Sequence, residues 1–599
     1  MISVDFGVAW MHSRFGHIGI VVAVTIIVLF SWLGAAPLWD EDEPRNAGCA
    51  AEMLERGDWV VPWFNGELRT HKPVMLYWLM MSAYSLFGVN EFSARFWSAV
   101  LGTGTVLLTY LIGVRLFDAK RGLLAALVLA STITPVMLSR AATPDAVLIF
   151  LLTLAIAIYV VAVTGKTGSS RMVVDYPSDR RVLSLMYGVM GLAVLAKGPI
   201  GLVLPTAIIG MFLLVRRLPE RSGDAVSSSR IFAWVAACLR PFHPGHFVKT
   251  CLAMKPVTAT LACLVVALPW YVVVTLRTDG EWTRGFFLDH NVGRFAQSME
   301  HHGGPIIYYP LVMCAGFFPW SVFFIPLGLD LAQRLKQPDD AHASRIFCLC
   351  WVGVVVGLFS LAGTKLPSYV APCYPGLALL MADFAVRLAE GKSSLRMCWP
   401  RFSIGTLIAV GVALTVGLVF LARHFSPGDE LVAIVALPLI AGGIVSWMLL
   451  RSRPQFAIGT FAVTAIVFTA GLLGPAAARI GQRQQIASLM NTVNSLSSAP
   501  ELRAAGAFRS SWVFYAGHPV REDHVSRLSP FLAQDADHFA ITTLADLDTL
   551  ETPLPAGVDV LAEIPFFTRP DKTLVLLGRA SSHEQTVTRP TDTSGTRIR

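Results

Sequence analysis

The chain has 599 residues, of which 54% are hydrophobic and only 15% are charged, and its mean hydropathy is +0.58. Soluble proteins carry roughly 25% charged residues, so this composition excludes an ordinary soluble enzyme. Apolar runs of about 20 residues predict a polytopic helical membrane protein, because a closed barrel would instead show short strands of alternating polarity. The net charge of +8 is typical of basic loops on the cytoplasmic side of a membrane, and we do not expect nucleic-acid binding.

About thirteen apolar runs are candidate membrane spans. The first could be a signal peptide, but its length and its direct continuation into an acidic loop favour an uncleaved anchor. Two consecutive short runs are separated only by Lys197. The predicted spans are 18–36, 94–114, 122–138, 146–164, 183–196, 198–215, 257–276, 306–328, 346–363, 370–386, 402–422, 431–450 and 455–475.

The orientation follows from the basic residues in alternate loops. One set of loops holds about twice as many Lys and Arg residues as the other, and the positive-inside rule places that set in the cytoplasm. The N-terminus is then cytoplasmic, and an odd number of spans leaves the C-terminus outside. Charged residues at 40–43, 140–145, Lys197, 277–305 and Lys365 all fall on the external side. Ionisable groups at span ends on one face predict a functional site.

The composition becomes mixed polar and apolar after the last span. Residues 1–475 are predicted to form the transmembrane domain, with 37–93 as its first external loop. Residues 476–580 are predicted to form a small external α/β domain. The tail 581–599 is rich in Ser, Thr and Arg, which predicts disorder.

Local patterns in the external domain predict both helix and strand. A helix is expected near 480–496, and strand-like runs stand at Ser511–Tyr515, Phe539–Thr542 and Thr573–Leu577.

The first external loop opens with four consecutive acids, Asp40 to Glu43. Pro44 suits the first turn of a helix and the acids suit its N-terminus, so the cluster alone is explained as a solvated helix start. The residues that follow argue for more, because several distinctive motifs come in a fixed order. They are Glu52-Met53-Leu54, Gly57-Asp58-Trp59, Phe64-Asn65-Gly66, His71-Lys72-Pro73 and Tyr77-Trp78.

This ordered set closely resembles the lipid-linked-sugar transferases of the GT-C type, in the protein mannosyltransferase and aminoarabinose (lipid A) transferase superfamily. Each motif alone is weak, whereas the ordered set on one predicted face is specific, and it extends across most of the membrane region. The later matches are Thr143-Pro144-Asp145, Leu195 to Pro199, His290-Asn291 to Arg294-Phe295, Tyr308-Tyr309, Pro319-Trp320 and Lys365 to Tyr369. The resemblance implies an all-α GT-C fold with about thirteen transmembrane helices and a small C-terminal α/β periplasmic domain, in which loop 37–93 is catalytic.

One position departs from the family pattern. His71 stands where the family commonly has Glu, and in some members that Glu and a later His hold a divalent metal near the donor phosphate. Imidazole also ligates metals, so His71 with His290 could keep such a site. Alternatively the metal is absent, and His71 pairs with phosphate or a nearby acid.

The resemblance implies a sugar donor carried on polyprenyl phosphate. Cleavage of its anomeric C–O bond leaves a phosphate and builds positive charge on the sugar ring. The candidates to bind that phosphate are four cations and one hydroxyl group. They are Lys72, Lys197, Arg294, Lys365 and Tyr369. The alternative for each is that the side chain only extends to the polar surface of the membrane or packs there, without binding a ligand.

The acceptor side is expected to use carboxylates. Asp42, beside Glu43, would act as general base for a hydroxyl acceptor, or would orient a phosphate acceptor and stabilise ring charge. Asp145 is a third catalytic candidate, although it could simply cap a helix. Asp40 and Glu41 are expected to be loop charges.

The resemblance favours an inner-membrane glycosyltransferase that moves an aminoarabinose-like sugar from undecaprenyl phosphate to lipid A, the membrane part of lipopolysaccharide, on the periplasmic side. Protein Ser/Thr hydroxyls, as in O-mannosylation, or another envelope glycan are the alternative acceptors. A lipid or solute transporter is the non-enzyme alternative. Transporters often carry inverted repeats and ionisable groups near mid-membrane, whereas these acids lie at span ends and the halves show no symmetry.

Overall fold

The computed structural model describes residues 14–164, 172, 175–218, 239–293, 304–305, 307–550, 552–567, 569 and 571–579. The predicted tail 581–599 lies outside these residues. The chain divides into two compact units, which we call the membrane unit and the mixed unit. The membrane unit comprises Met1–Leu33 and Thr70–Ala476, and the mixed unit comprises Gly34–Arg69 and Ala477–Arg599.

Helices dominate the described residues. In chain order the α-helices are α1 Arg14–Thr25, α2 Asp42–Glu55, α3 Met75–Phe87, α4 Glu91–Leu116, α5 Ala119–Ala130, α6 Ile133–Ser139, α7 Pro144–Val163, α8 Arg180–Lys197, α9 Ile200–Arg216, α10 Pro244–Ala253, α11 Pro256–Arg277, α12 Glu281–Arg284, α13 Tyr308–Gly316, α14 Phe324–Lys336, α15 His342–Leu361, α16 Tyr374–Ala389, α17 Cys398–Phe425, α18 Leu437–Ser452, α19 Pro454–Gly471, α20 Ala477–Gly481, α21 Ile486–Leu496, α22 Ser510–Ala516, α23 Leu528–Gln534 and α24 Leu544–Leu547. The strands are β1 Trp63–Phe64, β2 Glu67–Leu68, β3 Glu501–Ala505, β4 Val520–Asp523, β5 His538–Thr543, β6 Val558–Pro565 and β7 Thr573–Arg579.

The membrane unit confirms the predicted polytopic helical class. Among the described residues, eight helices are long and apolar enough to cross a bilayer, or up to ten if each of two bent pairs is one span. The bent pairs are α5 with α6, at 69°, and α13 with Trp320–Lys336, at 118°. The count of about thirteen was higher because the runs at Arg14–Phe30 and Ile200–Arg216 form shorter helices, and α8 carries charges at both ends.

Two helix ends bring the predicted site residues Asp145 and Lys197 close together. Pro144 starts α7 and leaves Asp145 in its first turn, as the fixed backbone of proline favours. Lys197 is the last residue of α8, which ends at Gly198 with a φ of 77°, a conformation that glycine adopts without strain. Because α7 and α8 pack against each other, the start of one lies beside the end of the other.

A buried ion network joins four helices of the membrane unit. Asp383 on α16 accepts hydrogen bonds from Arg121 Nε at 2.9 Å and from Arg345 Nε at 2.7 Å. Arg387, one turn further on α16, bonds to Asp383 at 3.1 Å and to Asp330 on α14 at 2.5 Å. Both acids are almost fully buried, and such pairing offsets the cost of removing their charges from water.

The mixed unit contains the predicted α/β domain. Its sheet has the order β4-β3-β5-β7-β6, with β3 parallel to β4 and β5, and β7 antiparallel to β5 and β6. Side chains alternate between the two faces of the sheet, so each face supports its own apolar core. One core contains residues of α21 and α22, and the other contains residues of α23.

The predicted helix and two of the three predicted strands are confirmed as α21, β5 and β7. The strand predicted at Ser511–Tyr515 is wrong, since these residues form α22. Their aromatic and β-branched side chains favour a strand, but Trp512 and Val513 lie four and three residues before Ala516, and all three are buried on one helical face. Gly517, with a φ of 74°, ends the helix.

The first external loop and the C-terminal residues form this unit together. Helix α2 packs against α22, and the Asn65 side chain forms two hydrogen bonds with the backbone of Val520, at 2.9 and 2.8 Å. Leu38 N donates to the Tyr515 hydroxyl at 2.9 Å, and Arg45 Nε donates to Ser510 Oγ at 2.9 Å. This grouping differs from the expected division, in which 37–93 belonged to the domain 1–475 and 476–580 stood alone.

Asp40 is an exposed residue of the loop, as expected, but it also has a structural partner. Its carboxylate accepts hydrogen bonds from the Ser511 backbone N at 2.9 Å and from Ser511 Oγ at 2.7 Å. Loss of hydration raises the pKa of Asp40 despite these bonds. Glu41 remains exposed and pairs with Arg45 at 2.9 Å and with Arg509 at 3.4 Å. Asp40 therefore attaches the start of the loop to α22.

Candidate functional site

The membrane unit contains a cavity of about 860 Å³ where several predicted residues meet. Its apolar walls include Leu148, Ile200, Phe286 and Phe359. Its polar lining consists of His71, Lys72, Lys197, His290, Ser368 and Tyr369. The structure therefore brings together five predicted site residues that are separated by up to about 300 positions in the chain.

Local structure explains how each polar group reaches the cavity. His71 and Lys72 precede Pro73 and the start of α3, where the chain leaves an extended segment. Tyr369 lies in the 3₁₀ turn Pro367–Cys373, and His290 lies in the wide helical segment Gly285–Gly293. Irregular backbone of this kind is tolerated at membrane depth only where protein or a cavity surrounds it.

Lys197 forms the best-defined polar contact of the site. Its Nζ lies 2.6 Å from Asp145 Oδ1, and the two side chains are mostly buried. The same Nζ lies 5.4 Å from the centroid of the Tyr369 ring, within the range of a cation–π contact. Asp145 is therefore more than a helix cap, because it holds the ammonium group at the cavity wall.

Lys365 adds a second buried ammonium group beside the cavity. Only 8% of the residue is exposed, and Nζ donates to the carbonyl oxygen of Ala362, a cavity residue, at 3.3 Å. Among the described residues, no carboxylate lies within ion-pair distance of this Nζ. With Lys72 and Lys197 on the lining and Asp145 as the nearby acid, the charge of the region favours an anionic group.

The two candidate metal ligands do meet. The rings of His71 and His290 have centroids 4.0 Å apart and planes inclined by 31°, which is a tilted arrangement. In the described part of the chain, no group of three His, Cys, Asp or Glu side chains is placed to hold a metal ion. Two imidazoles do not make a four-ligand site of the structural zinc type, so the described residues do not by themselves fit a metal.

Three predicted residues lie elsewhere. Arg294 is outside the described residues. Asp42 and Glu43 belong to the mixed unit, where Asp42 is the exposed first residue of α2. Glu43 is buried, and its Oε2 accepts a hydrogen bond from Trp39 N at 2.9 Å. That bond gives Glu43 a role in shaping the chain before α2, and the catalytic roles of both acids remain predictions.

Sequence reasoning missed the apolar walls and Ser368. Phe286 precedes His290 by four residues, a helical spacing that places both on one face and could have revealed the aromatic wall. Ser368 is the variable position of the Lys365–Tyr369 motif. Phe359, Leu148 and Ile200 gave no signal, because they are apolar residues within apolar runs.

The chain is similar to known membrane transferases. A family model described as dolichyl-phosphate-mannose-protein mannosyltransferase matches residues 71–244. An undecaprenyl phosphate-alpha-4-amino-4-deoxy-L-arabinose arabinosyl transferase of Pectobacterium carotovorum is 29% identical over 438 residues, which cover 70% of each chain. A protein of the same name from Pectobacterium atrosepticum is 29% identical over 468 residues, covering 76% of this chain and 75% of the relative.

The fold is also similar to solved structures. The crystal structure of ArnT from Cupriavidus metallidurans bound to undecaprenyl phosphate has a TM-score of 0.74 and 20% identity, covering 95% of this chain and 99% of that one. The apo structure of the same protein gives a TM-score of 0.71. The fold and the family match together support a membrane glycosyltransferase of the GT-C type.

The chain is similar, more narrowly, to the superfamily of protein mannosyltransferases and aminoarabinose transferases, and the two Pectobacterium relatives are of the aminoarabinose-transferase type. The family resemblance of the sequence motifs is thereby confirmed.

Proposed function

We propose that the protein transfers an aminoarabinose-like sugar from undecaprenyl phosphate to lipid A or a related envelope acceptor. The observation that carries this proposal is the cavity of the membrane unit, where Lys72, Lys197 and Tyr369 stand beside apolar walls. A polyprenyl phosphate has the matching chemistry, because its anionic head group joins an apolar chain. The names of the relatives support the choice of sugar and carrier.

The donor half of the reaction needs positive charge at the leaving group. As the anomeric C–O bond breaks, negative charge develops on the phosphate, and Lys72 and Lys197 would stabilise it. Tyr369 would donate a hydrogen bond from its hydroxyl. Lys365 and Arg294 are further candidates for this role. Asp145 keeps Lys197 at the wall, so that its ammonium group is positioned before the donor arrives.

The acceptor half needs a nucleophilic oxygen. Asp42 would accept a proton from a hydroxyl acceptor, which then forms the new bond to the anomeric carbon as the lipid phosphate leaves. If the acceptor is a phosphate of lipid A, its oxygen is already ionised, and Asp42 would orient it or stabilise ring charge. Glu43 would support Asp42 through the geometry at the start of α2.

The chain is a multi-pass membrane protein, and we place it in the bacterial inner membrane. The basic residues of the alternate loops support a cytoplasmic N-terminus. In this orientation the cavity and the mixed unit are periplasmic, which is the side on which envelope acceptors are exposed.

A transfer assay tests the proposal directly. Purified protein in lipid nanodiscs would be supplied with undecaprenyl-phosphate-linked aminoarabinose and lipid A, and lipid A would be analysed by mass spectrometry. Addition of one aminopentose is the expected result, and it should require both substrates. Transfer to protein Ser/Thr or another envelope glycan, but not to lipid A, would establish the alternative acceptor. Donor translocation without any bond cleavage would establish a transporter.

The histidine pair needs its own experiment. We propose that His71 and His290 contact the donor phosphate directly, with a divalent metal as the alternative that the family resemblance implies. Elemental analysis of purified wild-type protein and of His71→Ala decides between them. A stoichiometric metal that is lost in the variant would establish the metal site, whereas full activity after chelation would exclude it.

A further inference from the structure

A second cavity, of about 560 Å³, lies entirely within the mixed unit. It is bordered by Trp39 and Asp40 of the first loop, by Gln484 and Gln485 before α21, and by Arg509. Phe566 and Phe567, which follow β6, complete one side.

The aromatic lining presents ring surface to a ligand. Trp39 is 40% exposed, and its ring packs edge-on against Phe567, with centroids 5.8 Å apart. Phe566 is buried and supports the Arg509 guanidinium, which lies 5.5 Å from the ring centroid. A large exposed indole that is held at its edge by a second ring is costly in water. It offers a flat apolar face on which the C–H groups of a sugar ring can pack.

The polar lining suits hydroxyl groups. Side-chain amides both donate and accept hydrogen bonds, as sugar hydroxyls do. In the part of the chain that the structure describes, no hydrogen bond involves the side-chain amide of Gln484 or Gln485. Asp40 is held in place by Ser511, so its carboxylate position is fixed before a ligand binds.

The charge balance of this cavity opposes an anionic ligand. Arg509 is the cation of the lining, and it lies 3.4 Å from Glu41, while Asp40 adds a second carboxylate. A phosphate would meet the Asp40 carboxylate and one cation, Arg509, that already has an acidic partner in Glu41. This cavity therefore differs from that of the membrane unit, where lysines outnumber acids, and it favours an uncharged ring with hydroxyls.

We propose that this cavity is a saccharide-binding subsite for the glycan part of the acceptor. The proposal deepens the function proposed above and rests on it for the identity of the ligand as acceptor. Asp40 precedes the predicted catalytic Asp42 by two residues, a chain length of about 7 Å, so a sugar in the cavity lies within one or two sugar rings of that carboxylate. Trp39 supplies the stacking face, and Gln484 binds hydroxyls.

The test measures saccharide binding by the full-length protein in nanodiscs, without donor or turnover. The probe is a neutral N-acetylhexosamine disaccharide, and its phosphorylated form is the comparison. The variants are Trp39→Ala and Gln484→Leu, with Trp39→Phe as a conservative replacement. Gln482→Leu is the matched control, because Gln482 is exposed and does not border the cavity.

We expect Trp39→Ala and Gln484→Leu to weaken binding of the neutral disaccharide at least about tenfold, as loss of roughly 1.4 kcal/mol implies. Gln482→Leu and Trp39→Phe should stay within about threefold of wild type. Wild-type affinity in both test variants would overturn the subsite, and so would binding of the phosphorylated disaccharide alone. Monodisperse elution of each variant shows that a loss of binding is not a loss of folding.

The transfer assay separates this proposal from the proposed function. If transfer to lipid A occurs and the two variants leave its KM for lipid A unchanged, the subsite is wrong and the function stands. If the variants abolish disaccharide binding but wild-type protein transfers no sugar to any acceptor, the binding site stands and the function is wrong.

Discussion

Two charged clusters of the membrane unit carry similar residues but differ in how their charges are balanced. Around Asp383, three arginines meet buried acids, with the shortest contacts between 2.5 and 2.9 Å. Around the cavity, lysines predominate, and Asp145 is the acid that pairs with one of them. The first cluster is complete without a ligand, whereas the second places Lys72 and Lys197 on the wall of a cavity, where a phosphate would contact them.

The comparison teaches how to distinguish structural charge from functional charge in a membrane protein. Buried ionic groups are retained when neighbours neutralise them, and their value then lies in fixing the packing of helices. Charge that the protein leaves in excess at a cavity is costly in the absence of ligand, which makes it a sign of binding. The first cluster should therefore control stability, and the second should control activity.

The largest expected effect is on folding. Asp383→Ala removes the shared partner of Arg121 and Arg345, which should cost about 3–5 kcal/mol of stability because a buried charge is left without its partner. Thermal unfolding of the purified protein in detergent would measure the loss. Glu390→Gln is the control, since its ion pair with the exposed Lys392 is worth about 0–1 kcal/mol. Equal stability of the two variants would contradict the comparison.

The next effect is on catalysis. Lys72→Ala should lower kcat about 10²- to 10³-fold, the range seen when one group that stabilises transition-state charge is removed. Its melting temperature should match wild type. Steady-state transfer assays at saturating donor would measure the change, with Lys120→Ala as a control because that exposed lysine begins α5. Full activity of Lys72→Ala would remove this residue from the donor site.

A smaller effect is expected within the pair of Asp145 and Lys197. Each single change, Asp145→Asn or Lys197→Met, should lower activity about tenfold or more. The double variant should lose less than the sum of both in free energy, because the two side chains act as one unit. A double-mutant cycle on kcat/KM measures this coupling. Strict additivity would mean that the contact of 2.6 Å has no part in transfer.

The smallest expected effect concerns the first loop. Ser511→Ala removes the hydroxyl bond to Asp40 but keeps the backbone bond, so the loss should be about 0.5–1.5 kcal/mol. Hydrogen exchange should show faster exchange at the start of α2, with little change in β5 and β7. Unchanged exchange in α2 would show that this bond does not hold the loop.

The helical membrane class could be predicted from sequence because each span is an apolar run whose length is set by the bilayer. The polar residues of the cavity could be predicted too, since Lys72, Lys197 and Tyr369 stand within ordered motifs. The apolar walls could not, because Phe359 and Leu148 do not differ in kind from residues that face lipid. The helix at Ser511 was also missed, because its local strand propensity is overridden by packing that the local sequence does not encode.

The partnership of the first loop with the C-terminal residues could not be predicted for a similar reason. It depends on single hydrogen bonds such as that between Asn65 and Val520, which the hydrophobic periodicity of the sequence does not indicate. Asp40 illustrates the effect on a single residue. Four acids in a row predict a solvated loop, and only the position of Ser511 distinguishes Asp40 from its neighbours.

The bonds between Asn65 and Val520 span 455 positions of the chain, and this separation has a consequence for biosynthesis. The ribosome makes the first loop long before it makes β4, and the intervening chain has to be threaded into the bilayer in the meantime. The loop therefore cannot form its hydrogen bonds with Val520 until translation is nearly finished. A product truncated before Ser510 would lack the helix that packs against α2, so the first loop would lose its partner even with every membrane helix inserted.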